Sequence, residues 1–222
     1  MALRRAARPE WKFAGGSRVR FGVAYYQYDN IVGQRNTLES NLLDYTAPQF
    51  MQRGNTLFDI RNTADTSANL FALASDYHLA DATLSFDWRV SPLHRIALTA
   101  DYVRNIGYDE LEALARGPLT TDGRKRTNGY QAELNFGAST MARNGAWRAY
   151  VGYRYVERDA VLDAFTDSDF HLGGTDAKGY FMGADYAFTQ RVFARMRYLS
   201  ANEIDGAPLA IDVLQLDLNA SF

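Results

Sequence analysis

Hydrophobic and polar residues alternate one for one through most of this chain. In 17–28, Val19, Phe21, Val23 and Tyr25 fall on one face, and Arg18, Arg20, Gly22, Ala24 and Tyr26 on the other. The division recurs in 80–90, where Ala82, Leu84, Phe86, Trp88 and Val90 oppose Thr83, Ser85, Asp87 and Arg89. In 94–106, Ile96, Leu98, Ala100 and Tyr102 oppose Ala97, Thr99, Asp101 and Val103, and in 127–139, Tyr130, Ala132, Leu134, Phe136 and Ala138 oppose Gln131, Glu133, Asn135 and Gly137. The segments 145–157, 178–189, 191–200 and 210–222 read the same way. A helix would bring its apolar face round every 3.6 residues, so this period of two predicts strands, about eight of them.

The polar faces mix full charges with Gly, Ala, Ser and Thr, as a crowded or wet interior would, and the apolar faces carry aromatics near their ends. That combination fits an antiparallel up-and-down transmembrane β-barrel, with aromatic girdles at the two interfaces. Four or five apolar side chains per strand, at ~3.3 Å per residue and ~40° of tilt, cover roughly the 25 Å apolar band of an outer membrane. The connections alternate in length too. Long ones (29–78, 107–126, 158–177) fall on one side, and short ones at Ser91–His94, Ser139–Asn144 and Thr189–Gln190 on the other; the connection around Asp205–Pro208 is of medium length. An even meander would leave the start of the first strand and the C-terminus both on the short, periplasmic side.

Composition narrows the field. The 222 residues hold 14 Tyr, 13 Phe and 3 Trp, too aromatic for a disordered chain, and no Cys, which excludes disulfide scaffolds, thiolate zinc sites and cysteine nucleophiles. The 24 basic and 26 acidic residues nearly balance, against the basic excess of a nucleic-acid binder. No apolar run approaches the ~18 residues of a membrane-spanning helix, which leaves a barrel untouched. Residues 1–16 are basic, have no apolar core and do not read as a secretory signal; they form a segment ahead of the barrel domain at 17–222.

The chain ends in VLQLDLNASF, with Leu214, Leu216, Leu218 and Ala220 on alternate positions before Phe222. This resembles the C-terminal signal by which outer-membrane barrels are recognised by the assembly machinery. The stretches GNTLFDIRN (54–62), LFALASDYHL (70–79), DYVRNIGYD (101–109), HLGGTDAKGYFMGADYAF (171–188) and SANEIDGAPLAIDVLQLDLNASF (200–222) are similar to the putative porin family of Gram-negative bacteria. That resemblance implies an outer-membrane, non-enzymatic channel for small hydrophilic solutes or ions, without cofactor or metal. Its partners would be membrane lipid, lipopolysaccharide, the assembly machinery and further copies of the chain. Members of the family are typically longer, so the chain looks like the C-terminal half of a barrel of roughly 16 strands.

An open sheet edge in hydrocarbon leaves backbone groups unpaired, so either 17–28 pairs with 210–222 or further strands intervene. The charged residues of the polar faces then form the expected lumen lining: Arg18, Arg20, Arg89, Arg148, Arg154, Arg195 and Arg197, with Asp87, Asp101, Glu133, Asp185 and Asp217. In a narrow barrel they must pair; in a wide one they tune ion preference, weakly toward anions.

Other candidates are weaker. His78 and His94 read as solvated. His171 lies among Asp163, Asp167, Asp169 and Asp176, where calcium is conceivable but the spacing of a calcium loop is missing, so a solvated acidic external loop is the better reading. Gly173-Gly174 lacks the rest of a phosphate loop. Arg124-Lys125-Arg126 could touch lipopolysaccharide phosphates, though a solvated rim fits better. Leu57, Phe58 and Ile60 could fold inward to narrow a pore or pack as an external cap. Ser168 with His171 offers no nucleophile motif for a hydrolase. Two further readings stay open: a non-conducting barrel with a structural or adhesive role, and a soluble lipid-binding barrel with its faces reversed.

Overall fold

The computed structural model describes residues 2–119 and 125–221. The chain is all-β and antiparallel, with almost no helix. Its strands are β1 (Ala2–Ala7), β2 (Glu10–Lys12), β3 (Arg18–Tyr28), β4 (Leu57–Asp59), β5 (Phe71–Leu73) and β6 (His78–Arg89). They continue as β7 (Arg95–Asn105), β8 (Asn128–Gly137), β9 (Trp147–Val156), β10 (Ala177–Ala187), β11 (Val192–Glu203) and β12 (Ala210–Ala220). One short helix, α1 (Glu110–Ala115), opens with Asp109 accepting from the Glu112 amide as its N-cap. No helix among the described residues is long and apolar enough to cross a membrane.

The period-two segments all form strands: β3 and β6 to β12 are the long antiparallel strands, each hydrogen-bonded to the next. The count of about eight is corrected to twelve among the described residues. Two of the additional strands come from residues 2–12, where no alternation is legible. β1 pairs with Val23–Tyr28, and β2 pairs with Arg18–Arg20. Ala7↔Val23 and Glu10↔Arg20 share one register, so the two are a single strand interrupted where Pro9 has no N–H to give. The Pro9 carbonyl still accepts from Phe21 N at 3.2 Å, and Glu10 faces Arg20 at 3.5 Å. The other two, β4 and β5, form a separate hairpin inside the long segment after β3.

With β1 and β2 taken as one, the ten-stranded sheet is a row of nine, from 2–12 at one edge to β12 at the other. Among the described residues no pairing joins the two edges. The turn at 13–17 and the turns after β6, β8 and β10 share one end with the close of β12; the long connections and Ala2 lie at the opposite end. The start of 17–28 and the close of β12 share the short-turn end, as expected, and residues 2–12 cross the sheet once more from the opposite end.

Packing is divided by face. Directly opposed residues share a face in an antiparallel ladder, and the row Phe86, Leu98, Leu134, Val151, Met182, Tyr198, Leu214 runs unbroken from β6 to β12. Leu98, Leu134, Val151 and Met182 are 44–45% exposed in the middle of that row. Above it, toward the long connections, Tyr130 stacks on Tyr155 at 4.9 Å and Tyr153 meets Tyr180 at 4.9 Å. Below it, Phe136 meets Trp147 at 5.3 Å and Tyr186 meets Phe188 at 5.3 Å. The opposite face is tighter. Phe181 lies against Gly152 and Tyr150 against Gly183, each ring within 2.5 Å of where a Cβ would sit, so only glycine lets these rings lie flat on the neighbouring backbone.

Candidate functional site: the polar face and its cap

All twelve charged residues named for a lumen fall on this second face, as the register dictates. Arg18 opposes Asp87, Arg20 opposes Ser85, Asp101 opposes Gln131, and Gln131 opposes Arg154. Arg148, Asp185, Arg195 and Asp217 form one continuous row across β9 to β12. Pairing is extensive. Asp185, with its side chain 0% exposed, takes Arg195 Nε at 2.8 Å and a second guanidinium from Arg148. Asp87 takes Arg18 at 2.8 Å and Arg95 at 2.5 Å, and Asp101 accepts from Thr83 Oγ1 at 2.7 Å. Arg95 was not among the expected residues; it opposes Arg89 at the start of β7, beside the turn, where alternation ends. Arg154 and Arg197 share Asp167 at 3.4 and 3.6 Å, and Arg197 also reaches Asp169 at 3.4 Å.

Asp167 and Asp169 bring the connection 157–176 into the site, and here the solvated-loop reading is corrected. Asp163, His171 and Asp176 are buried. His171 Nε2 lies 3.0 Å from the Leu209 carbonyl, and Phe170 packs with Phe181 and Leu199 of the sheet. The chain folds down onto the polar face because Phe170 has an apolar floor there and Arg154 lies 4.7 Å from its ring. His94 is not simply solvated either: its ring sits 5.8 Å from Trp147, and its Nδ1 lies 3.2 Å from Ser91 Oγ.

The long connection after β3 locks onto the same segment. Asn55 Nδ2 donates to the Arg158 carbonyl at 2.6 Å and the Val161 carbonyl at 2.9 Å. Thr56 gives both its amide and its hydroxyl to Asp159, and the Tyr77 hydroxyl donates to the same carboxylate at 2.8 Å. Asn105 ties in β7 by donating to the Asp76 and Asp159 carbonyls. Sequence reasoning missed this network. Phe58 and Ile60 are buried with Ala72, Ala74, Tyr108 and Ala113 in a core of the cap itself, while Leu57 packs with Leu73 and Leu162 against Tyr26, Tyr28 and Val103 of the sheet. The apolar run thus packs as a cap, partly on itself and partly on the sheet. Of the basic run, Lys125 is exposed but donates to the Tyr108 carbonyl, and Arg126 pairs with Asp205 at 2.9 Å; Arg124 lies outside the described residues.

Burial pushes the carboxyls of Asp159 and Asp163 up, against hydrogen bonds that favour their charged forms. Asp176 is pushed up to about 6, first by burial and then by Glu203 and Asp205, with Arg158 and Arg126 opposing. Its Oδ1 is buried with no hydrogen-bond partner among the described residues. An acid raised in the folded state holds its proton more tightly when folded. It therefore contributes stability in full below about pH 4, its unfolded range, and that contribution is lost as pH rises through about 6. Hydrogen-exchange protection of Gly173–Thr175, corrected for intrinsic rates, is expected to fall on the order of tenfold between pH 4.5 and pH 7.5. Protection that stays flat or rises over that interval refutes the assignment.

The C-terminal Leu214, Leu216 and Leu218 are 61, 73 and 72% exposed, more than any central row, because among the described residues no strand pairs with the outer side of β12. Ala220 shares their face and Phe222 lies outside the described residues. A family model described as putative porin matches residues 7–222. No curated protein and no solved structure matches the chain.

Proposed function

The chain belongs to the putative porin family, and from that premise we propose that it forms the wall of an outer-membrane channel for passive diffusion of small hydrophilic solutes or ions. The twelve charged residues line the water path, the aromatic-bounded apolar band meets lipid, and the alternating apolar residues of β12 are read by the assembly machinery. Lipopolysaccharide borders the long-connection end. The protein acts without catalysis.

The observation that carries this reading is the division of exposure between the faces. Leu98, Leu134, Val151 and Met182 are nearly half exposed in an unbroken row, while Asp185 on the other face is sealed. Soluble proteins rarely leave contiguous apolar patches beyond a few hundred Å2 uncovered, and a soluble lipid-binding barrel would cover this face instead. A non-conducting barrel keeps one specific support: the segment 157–176 lies on the polar face and pairs with Arg154 and Arg197. Planar-bilayer recording of the refolded full chain in KCl separates the two. Stepwise ohmic conductance is expected; its absence from demonstrably folded, inserted protein refutes the channel.

A further inference from the structure

Three cavities on the polar side lie end to end. The first, about 570 Å3, opens between the connections after β3 and β9, beside Tyr45, Phe50 and Phe165. The second, about 460 Å3, shares Leu162 and Phe165 with it. Tyr28, Leu79, Val103 and Phe170 line this second cavity, and its charged lining residues are Asp81, Arg154 and Asp167. The third, about 330 Å3, shares Arg154 and Asp167 with the second and is lined by Arg148, Arg195 and Arg197 together with Glu133. A largely apolar chamber, roomy enough for an aromatic ring, therefore opens directly onto a group of guanidiniums.

The charges at that junction are unequally engaged. Asp185 is saturated by Arg148 and Arg195 and sealed from the cavity. Glu133 accepts from Asn135 Nδ2. Arg154 and Arg197 share Asp167 at 3.4 and 3.6 Å, and Arg197 reaches Asp169 at 3.4 Å, all well beyond the ~2.7–2.9 Å of a fully formed charge-assisted bond. Both guanidiniums keep donors directed at a group other than Asp167. Arg154 is held in place by Gln131 at 2.6 Å and by the rings of Phe170 and Phe181 at 4.7 and 5.6 Å.

We infer that the junction of the second and third cavities binds a small organic anion with an apolar body, an aromatic monocarboxylate, its carboxylate on Arg154 and Arg197 and its ring in the chamber of Tyr28, Phe165 and Phe170. An inorganic anion uses the guanidiniums but leaves the chamber empty; a neutral apolar solute does the reverse. The conjunction selects the class. This deepens the channel reading and rests on it for the route by which the anion arrives.

The test uses the refolded full chain with benzoate, acetate and benzylammonium as probes. Saturation-transfer NMR measures binding, and bilayer recording in KCl runs in parallel. Benzoate is expected to bind about tenfold more tightly than acetate, the gain of burying a ring, and benzylammonium not to compete. Asp167→Asn, which removes the carboxylate the two guanidiniums share without changing shape, tightens benzoate several-fold, and Arg197→Gln weakens it several-fold. Loss of fold cannot produce opposite signs. Benzoate no tighter than acetate, displacement by benzylammonium, or both variants shifting the same way overturns the inference. With KCl conductance intact, that failure leaves the channel reading standing; missing conductance alongside tight benzoate binding strikes the channel alone and leaves the site.

Discussion

Replacing Leu134 with arginine is expected to cost the folded protein about 2–4 kcal/mol in a bilayer, the range for a basic residue at the hydrocarbon midplane of a barrel's outer face. Leu134 lies at the centre of the apolar row, between Leu98 and Val151 in register, and 45% of it is exposed. Asn135, one residue on, points to the other face, and Asn135→Arg is expected to change stability by well under half as much. Urea-dependent unfolding from lipid vesicles measures both. A soluble protein presenting Leu134 to water would tolerate the charge or gain solubility from it, so an unchanged or raised midpoint for Leu134→Arg would sink the lipid-facing assignment.

Asp185→Leu is the second large loss. The carboxylate is sealed, and two guanidiniums converge on it. Removing one partner of a buried ion cluster typically costs ~3–5 kcal/mol. Arg148 and Arg195 are about a third exposed, so water recovers part of their solvation, and about 2–4 kcal/mol is expected here. The triple change Asp185→Leu, Arg148→Met, Arg195→Met removes the stranded charges as well and is expected to regain most of the loss. The same unfolding midpoints decide it. A single variant as stable as the parent, or a triple variant no better than the single, would show that the cluster does not bear on folding.

The long strands were legible because one rule, strict alternation, acts over ten or more consecutive residues in each. The charged residues could be placed on one face for the same reason, since register is a consequence of period. Residues 2–12 escaped because their arginines and Pro9 break the pattern, although the backbone completes the ladder around the break. The cap escaped for a different reason. Asn55 meets the Arg158 carbonyl across 103 residues of sequence, and His171, among acidic neighbours, becomes buried because Phe170 finds an apolar floor on β10 and β11. No local pattern encodes such meetings. A trace of them was nonetheless present: the stretches resembling the putative porin family include Asn55, Thr56, Tyr77, Asn105, Thr175 and Asp176, the residues that stitch the cap together or lie buried within it.

The row of nine carries a constraint of parity. Residues 2–12 and β12 run in the same direction, both from the long-connection end to the short-turn end. An annulus in which every neighbour is antiparallel has an even membership, so bending this sheet until its borders touch would force one parallel seam. A twin related by rotation about the pore axis would meet the same mismatch at two seams, and a twin flipped to cure it would carry its long connections into the wrong compartment. The two borders of this sheet are thus alike in direction, and they match one another only where a seam is parallel.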